Sequence, residues 1–292
     1  MRELIKKLRK YQIEIRKAIN NLMQGDFNSV FKGTGLEFDD VRAYQYGDDV
    51  RIIHWNVSAK GHGTFVKTFR EEKEQTVFFL VDVSASQDIG NPGKKKIEVA
   101  REICGVLALS AVHEQSQVGL ICYSDQKERY IRPGKGERHI YRFIAELFRL
   151  QPVSLKTNMS AAIRYTLDRL KRKSVVIMIS DFIDQDYEHD LKALARKHDL
   201  VVIHLSDRRE TNLPRLGIVP LIDRESQRTV WFNTSSPAFR RQLHRNFEEK
   251  RHALETLCFR QQANYLHLYA DEDYVPRLIR LFKVRNKARK IA

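Results

Sequence analysis

Cysteine is scarce in this chain of 292 residues, with only Cys104, Cys122 and Cys258. The three are far apart, odd in number and set in apolar stretches. Their spacing therefore offers neither a disulfide framework nor a zinc cluster, and core packing is expected for each. Long apolar runs are missing as well, which excludes a membrane-spanning helix from the reading. Residues 1–10 carry charges where a secretory signal needs an apolar stretch, so a cytoplasmic location is expected. Neither an internal repeat, a low-complexity tract nor a flexible linker is visible. The G-x-x-x-x-G-K-[ST] phosphate loop is also lacking, so the chain is not expected to be an ATPase.

What is present fits a self-folding globular protein: hydrophobic residues make up 42% and charged residues 30%. The formal net charge of +15 sits mainly at the two ends. Residues 1–20 contribute +5 and residues 275–292 contribute +7. Basic ends of this kind suit solvated helix faces, an anionic membrane surface, nucleic acid or an acidic protein. No nucleic-acid motif accompanies them, so a nucleic-acid partner is not expected.

Apolar residues at spacings of three and four, from Leu4 to Leu22, predict an amphipathic helix over residues 2–23. Residues 38–69 mix short β-like runs with turn residues and read as a small β-rich lead-in. From Thr76 the run Thr-Val-Phe-Phe-Leu-Val predicts a central strand buried on both faces. Helices over 97–114, 137–150, 159–171 and 187–197 then alternate with strands over 117–123, 174–179 and 200–205. A further strand is expected near 129–131. Beyond these lie a strand pair at 216–223 and 228–232, a long helix over 237–262, a strand at 265–268 and a basic helix from 274 to about 290. The expected fold class is α/β, a doubly wound and mainly parallel sheet with right-handed crossovers. Residues 1–72 form the helix and lead-in, and residues 73–292 form the main domain.

Ligands of an open α/β sheet bind beyond the carboxyl ends of its strands. Two such ends stand out. One is Asp82-Val83-Ser84-Ala85-Ser86, where three oxygen-bearing side chains alternate with small apolar ones. The other is Ser180-Asp181-Phe182. Thr157, just before a helix start, can bring a hydroxyl to the same place. Carboxylates and hydroxyls suit a hard cation, with Mg2+ first and Mn2+ or Ca2+ as alternatives. A plain helix cap is the structural alternative for the five-residue motif.

Asp82, Ser84 and Ser86 resemble the D-x-S-x-S of the metal-ion-dependent adhesion site of von Willebrand factor A domains, and Thr157 and Asp181 match that family's distal Thr and Asp in order. The resemblance implies that Ser84, Ser86 and Thr157 offer hydroxyls to the cation. Asp82 and Asp181 then act directly or through water, and a partner carboxylate completes the shell. The segment ahead of the sheet carries Gly33-Thr34-Gly35-Leu36-Glu37-Phe38, then Arg42-Ala43-Tyr44-Gln45-Tyr46-Gly47-Asp48-Asp49-Val50-Arg51-Ile52-Ile53-His54-Trp55, then Ser58-Ala59-Lys60. It closely resembles the lead-in of the bacterial "domain of unknown function 58" family, which joins such a segment to a von Willebrand factor A-like domain. The chain departs from that pattern at His54, Lys60, Asn158 and Gln87, none of which removes a metal oxygen. On physical grounds Glu37, Arg42, Asp48, Asp49 and Arg51 are expected to form a charge network that holds the lead-in on the sheet, with Trp55 as its buried anchor.

The resemblance implies a non-enzymatic adaptor that works with a MoxR-type AAA+ ATPase on a client protein. Two other classes compete with it. One is a Mg-dependent phosphohydrolase with Asp82 as nucleophile, although serines stand where a second acid is needed. The other is a basic binder of nucleic acid or of a membrane surface.

Overall fold

A computed structural model of the chain describes residues 34–61, 63–73, 75–222 and 229–291, with a few positions ahead of residue 34. The helix expected over 2–23 lies almost wholly outside the described residues. Strands β1 (Thr34–Ala43) and β2 (Phe65–Lys73) pair antiparallel, with a register shift between Phe38 and Asp40. A 3-10 turn (Val50–Ile52) and the short helix α1 (Trp55–Ser58) connect them.

After β3 (Thr76–Asp82) comes a hairpin of two-residue strands, β4 (Gly90–Asn91) and β5 (Lys94–Lys95). Then follow α2 (Lys96–His113), β6 (Gln117–Tyr123), β7 (Lys127–Gly134), α3 (Gly136–Arg149), α4 (Met159–Arg169), β8 (Val175–Ser180), α5 (Glu188–Lys197) and β9 (Asp199–Ser206). The chain closes through α6 (Arg208–Thr211), the antiparallel pair β10 (Ile218–Ile222) and β11 (Thr229–Asn233), α7 (Pro237–Arg260), β12 (Asn264–Tyr269) and α8 (Tyr274–Ile291).

Six strands form the main sheet in the order β12-β9-β8-β3-β6-β7. Every neighbouring pair is parallel except β6 with β7. This is the doubly wound α/β arrangement that the alternation of runs predicted. The residues near 129–131 form its one antiparallel edge strand. Alternation along β3 divides the core: Val77, Phe79 and Val81 face α2, α3 and α8, while Phe78 and Leu80 face α4, α5 and α7. Both faces are covered, which is why β3 and β8 are apolar runs rather than alternating ones. Helix α2 buries Ala100, Ile103, Cys104, Val106, Leu107 and Ala108, so it is apolar around most of its circumference. All three cysteines are free and buried in these cores, and burial pushes the thiols of Cys122 and Cys258 up to about 12.

The lead-in departs from expectation. Trp55 is 69% exposed, and Ile53 and Val66 are its buried apolar residues. Trp55 opens a one-turn helix, which points its ring outward. Arg42 pairs bidentately with Asp48 at 2.8 and 2.6 Å, and Arg51 with Asp49 at 3.3 Å. These pairs brace the loop between β1 and β2 against itself, and the side chain of Glu37, expected in the same network, lies outside the described residues.

Candidate functional site

In the strand order, the chain leaves β3 towards β6 on one side and returns to β8 on the other. The carboxyl ends of β3 and β8 therefore flank the topological switch point of the sheet, the position at which open α/β sheets bind ligands. Asp82 ends β3, Ser180 ends β8, and Asp181 follows directly.

Asp82 is fully buried. Its Oδ1 accepts the Ser84 N–H at 2.9 Å and its Oδ2 accepts the Ser180 hydroxyl at 2.7 Å. The Ser180 oxygen in turn accepts the Phe182 N–H at 3.0 Å, so one hydroxyl joins the two strand ends. Phe182 holds a left-handed φ of 55°, a conformation that costs a large side chain about 1–3 kcal/mol and clusters at functional sites. Ser84 and Ser86 are buried, with their hydroxyl oxygens 3.0 Å apart.

Asp181 is also buried. Its Oδ1 accepts the Ile183 N–H at 3.2 Å, and its Oδ2 accepts from the Lys96 ammonium at 2.7 Å. Lys96, the first residue of α2, has no exposed surface and donates a second bond to Glu210 of α6. Burial works against its charge, but Asp181 and Glu210 outweigh it and the ammonium is held above its ordinary pKa.

Thr157 is half-buried in the loop before α4. That loop is sewn to the motif where the Ala85 N–H donates to the Leu155 carbonyl at 3.0 Å, and to the end of β6 where the Asn158 N–H donates to the Ser124 carbonyl at 3.0 Å. Glu128 of β7 accepts the Val153 and Ser154 N–H groups, both at 3.0 Å, and the Ser124 hydroxyl at 2.7 Å. Asp82, Ser84 and Ser86 thus gather at the carboxyl end of β3 beside Asp181 at the end of β8, and the loop that carries Thr157 is bonded to the motif through Leu155.

Sequence reasoning missed Ser180 as a partner of Asp82, and missed Lys96, Glu210 and Glu128 altogether. Glu210 carried a readable signal, the capping box that it forms with Asp207 at the start of α6. Lys96 carried none.

The donor set can be tested against a hard cation. Among the described residues no group of three or more His, Cys, Asp or Glu stands ready for a metal, so a cation here depends on hydroxyl oxygens. Neighbouring ligands of an octahedral Mg2+ at roughly 2.0–2.1 Å stand about 2.9 Å apart, and the Ser84 and Ser86 oxygens match that spacing. Lys96 pairs with Asp181 and Glu210, while Asp82 is bonded only by neutral groups, so carboxylates outnumber cations at the buried strand ends. Burial, followed by the charge of Asp181, pushes the Asp82 carboxyl up to about 7. Two buried oxygens nearby, Gln87 Oε1 and Tyr123 Oη, have no hydrogen-bond partner. Gln87 reaches towards Asp82 with its amide nitrogen at 3.5 Å, and Tyr123 is the strand partner of Asp82. A divalent cation would offset the excess of carboxylates, and the two orphaned oxygens mark polar groups beside Asp82 that the protein alone leaves unsatisfied. The residues present fit that group.

The family described as "Protein of unknown function DUF58" matches this chain over residues 40–253. An uncharacterized protein of Mycobacterium tuberculosis is 24% identical over 283 residues, which are 96% of this chain and 89% of the relative. An uncharacterized protein of Mycobacterium avium is 27% identical over 164 residues, 53% of this chain and 94% of that one. Among solved structures, the conserved hypothetical protein BatB from Bacteroides thetaiotaomicron aligns with a TM-score of 0.46 at 15% identity, covering 74% of this chain and 99% of that chain. The VWA domain of SpRpn10 aligns with a TM-score of 0.34 at 14% identity, covering 46% and 76%.

Proposed function

The chain belongs to the DUF58 family, and from that premise we propose that it is a non-enzymatic, metal-dependent protein-binding adaptor. In this reading it works in the cytoplasm with a MoxR-type AAA+ ATPase to assemble or remodel a client complex. The observation that carries the proposal is the buried carboxylate and hydroxyl cluster at the switch point, where Asp82 has no cationic partner.

Ser84, Ser86 and Thr157 would hold a Mg2+ ion through their hydroxyls, with Asp82 and Asp181 acting directly or through water. A hard cation, when bound, supplies a Lewis-acidic position that a partner's Asp or Glu carboxylate can occupy. The chain's own residues prepare that position. Asp82 fixes the Ser84 backbone and is itself fixed by Ser180. Lys96 engages Asp181 and keeps part of its charge away from the cation, which leaves the cation more attractive to an incoming carboxylate. Asp181 and Glu210 border a groove of about 1020 Å³ between α5 and α7, the side from which a partner can approach. The same burial speaks against Asp82 as a nucleophile, since both its oxygens are engaged and neither is exposed.

The test is copurification of an AAA+ ATPase with the wild-type chain, with and without a chelator, and with Asp82→Ala. The expected result is capture that is lost in both altered conditions. Capture that survives chelation and the substitution would remove the metal from the mechanism.

A further inference from the structure

A second charged feature of the carboxyl-end face plays no part in the cation reading. Between α6 and α7 lies a cleft of about 540 Å³ whose walls carry Arg208, Arg240, Arg241, His244, Arg245 and Tyr269, and among the described residues no acidic side chain lines it. It opens where β9 and β12 end, the position at which open α/β sheets bind ligands. Two of its cations are already matched. Arg208 pairs with Asp271 at 2.9 Å and Glu272 at 2.8 Å while lying over the Tyr269 ring at 4.6 Å, and Arg245 pairs with Glu249 at 2.7 Å.

The other two are not matched. Arg240 donates at 2.8 Å to the side-chain oxygen of Asn212, which is neutral, and Arg241 has no ion pair among the described residues. Along α7 the sequence sets Arg240 four residues before His244 and Arg241 four residues before Arg245. Arg241 and Arg245 are like-charged at a spacing that disfavours a helix, and Glu249 engages only Arg245, so an anion in the cleft would relieve Arg241. Both arginines also lie within two turns of the Ser236 cap, near the positive end of the helix dipole.

We propose that this cleft binds an oligophosphate chain, either free or carried on a nucleotide. Guanidinium forks match phosphate oxygens bidentately, and Thr211 and Asn212 add polar groups to the same walls. The volume falls within the range of roughly 300–1,000 Å³ typical of small-ligand sites.

The experiment is calorimetric titration of the full chain with inorganic tripolyphosphate, ATP and oligo-glutamate, all in a chelator so that no divalent cation contributes. The variant Arg241→Gln/Arg245→Gln changes two exposed positions of the cleft. The variant Lys171→Gln/Lys173→Gln removes the same charge from an exposed loop elsewhere. Saturable tripolyphosphate binding is expected, weakened at least about tenfold by the cleft variant and less than about twofold by the control. ATP binding tighter than tripolyphosphate would support a nucleotide as the source, and equal binding would support a free phosphate chain. Absence of saturable binding, equal losses in the two variants, or tighter binding of oligo-glutamate would each overturn the proposal.

Discussion

At Asp82 a carboxylate has been taken fully out of water with one neutral hydroxyl, one backbone N–H and a second carboxylate for company. Burial is the larger cause and Asp181 the next, and together they raise its pKa from 3.8 to about 7. Between those values the unfolded chain releases a proton that the folded chain keeps. The stability that this group contributes is therefore whole below the unfolded value and is lost as pH rises through the folded one, by a few kcal/mol on the order of one per pKa unit. In a chelator the melting temperature of the wild type should fall relative to Asp82→Asn as pH rises from about 4 to about 7, and added Mg2+ should raise it mainly at the upper end. Melting curves across that range, with parallel courses for the two proteins, would show that Asp82 does not titrate there. Asp82, Ser84, Ser86 and Asp181 were legible because polar side chains directly after buried runs need a reason to be there. Trp55 was misread because a large aromatic ring in a charged segment suggests an anchor, whereas a one-turn helix had no second layer to bury it.

Among the elements, the hairpin β4–β5 shows how local backbone geometry reaches the site. Gly90 has a φ of 138°, and an added Cβ would stand 2.6 Å from the Lys95 Cα and 2.7 Å from the Lys94 carbonyl oxygen. The next residue is Lys96, whose N–H donates to the Ile89 carbonyl at 3.0 Å. Only glycine permits the approach that sets Lys96 beneath Asp181. Gly90→Ala should cost about 1–3 kcal/mol of unfolding free energy, because backbone stands in the way as well as the φ. Gly93→Ala, with a φ of 80° and open space around it, should cost less. Urea unfolding of the two variants measures the difference, and equal losses would mean that the hairpin does not pack this closely. The strands and long helices of the main sheet were readable from their periodicity, with ends displaced by up to three residues. The two-residue strands and the one-turn α6 were not, since elements this short carry no period. Yet α6 brings Glu210 to Lys96.

Over the whole molecule, acid and base sensitivity arise at different places. Burial holds His204 down to about 3, with the charge of His267 adding to it, and holds His267 and His198 down to about 4. His204 sits among Phe182, Phe247, Tyr265 and His267, with Nδ1 2.8 Å from the Tyr265 hydroxyl. Below an ordinary histidine value the unfolded chain takes up protons that the folded one refuses, so this stability is present above about pH 6.5 and is lost as pH falls towards 4. The acid limb of a melting-temperature profile should persist in Asp82→Asn and be steeper there than in the wild type, because the opposing gain from Asp82 on acidification is gone. An acid limb that vanished in Asp82→Asn would place its origin at the cation site instead. No helix among the described residues is long and apolar enough to cross a membrane, in keeping with the missing long runs in the sequence. The sequence by itself determined the α/β class, the buried runs of β3 and β8, and the oxygen-rich residues at their ends, because burial and period are written locally along the chain. Only the tertiary structure decided the strand order that makes those two ends neighbours, the antiparallel edge at β7, and the meeting of Lys96 with Asp181 and Glu210. Charge balance in a buried site depends on groups distant in sequence, and their proximity exists only once the sheet has formed.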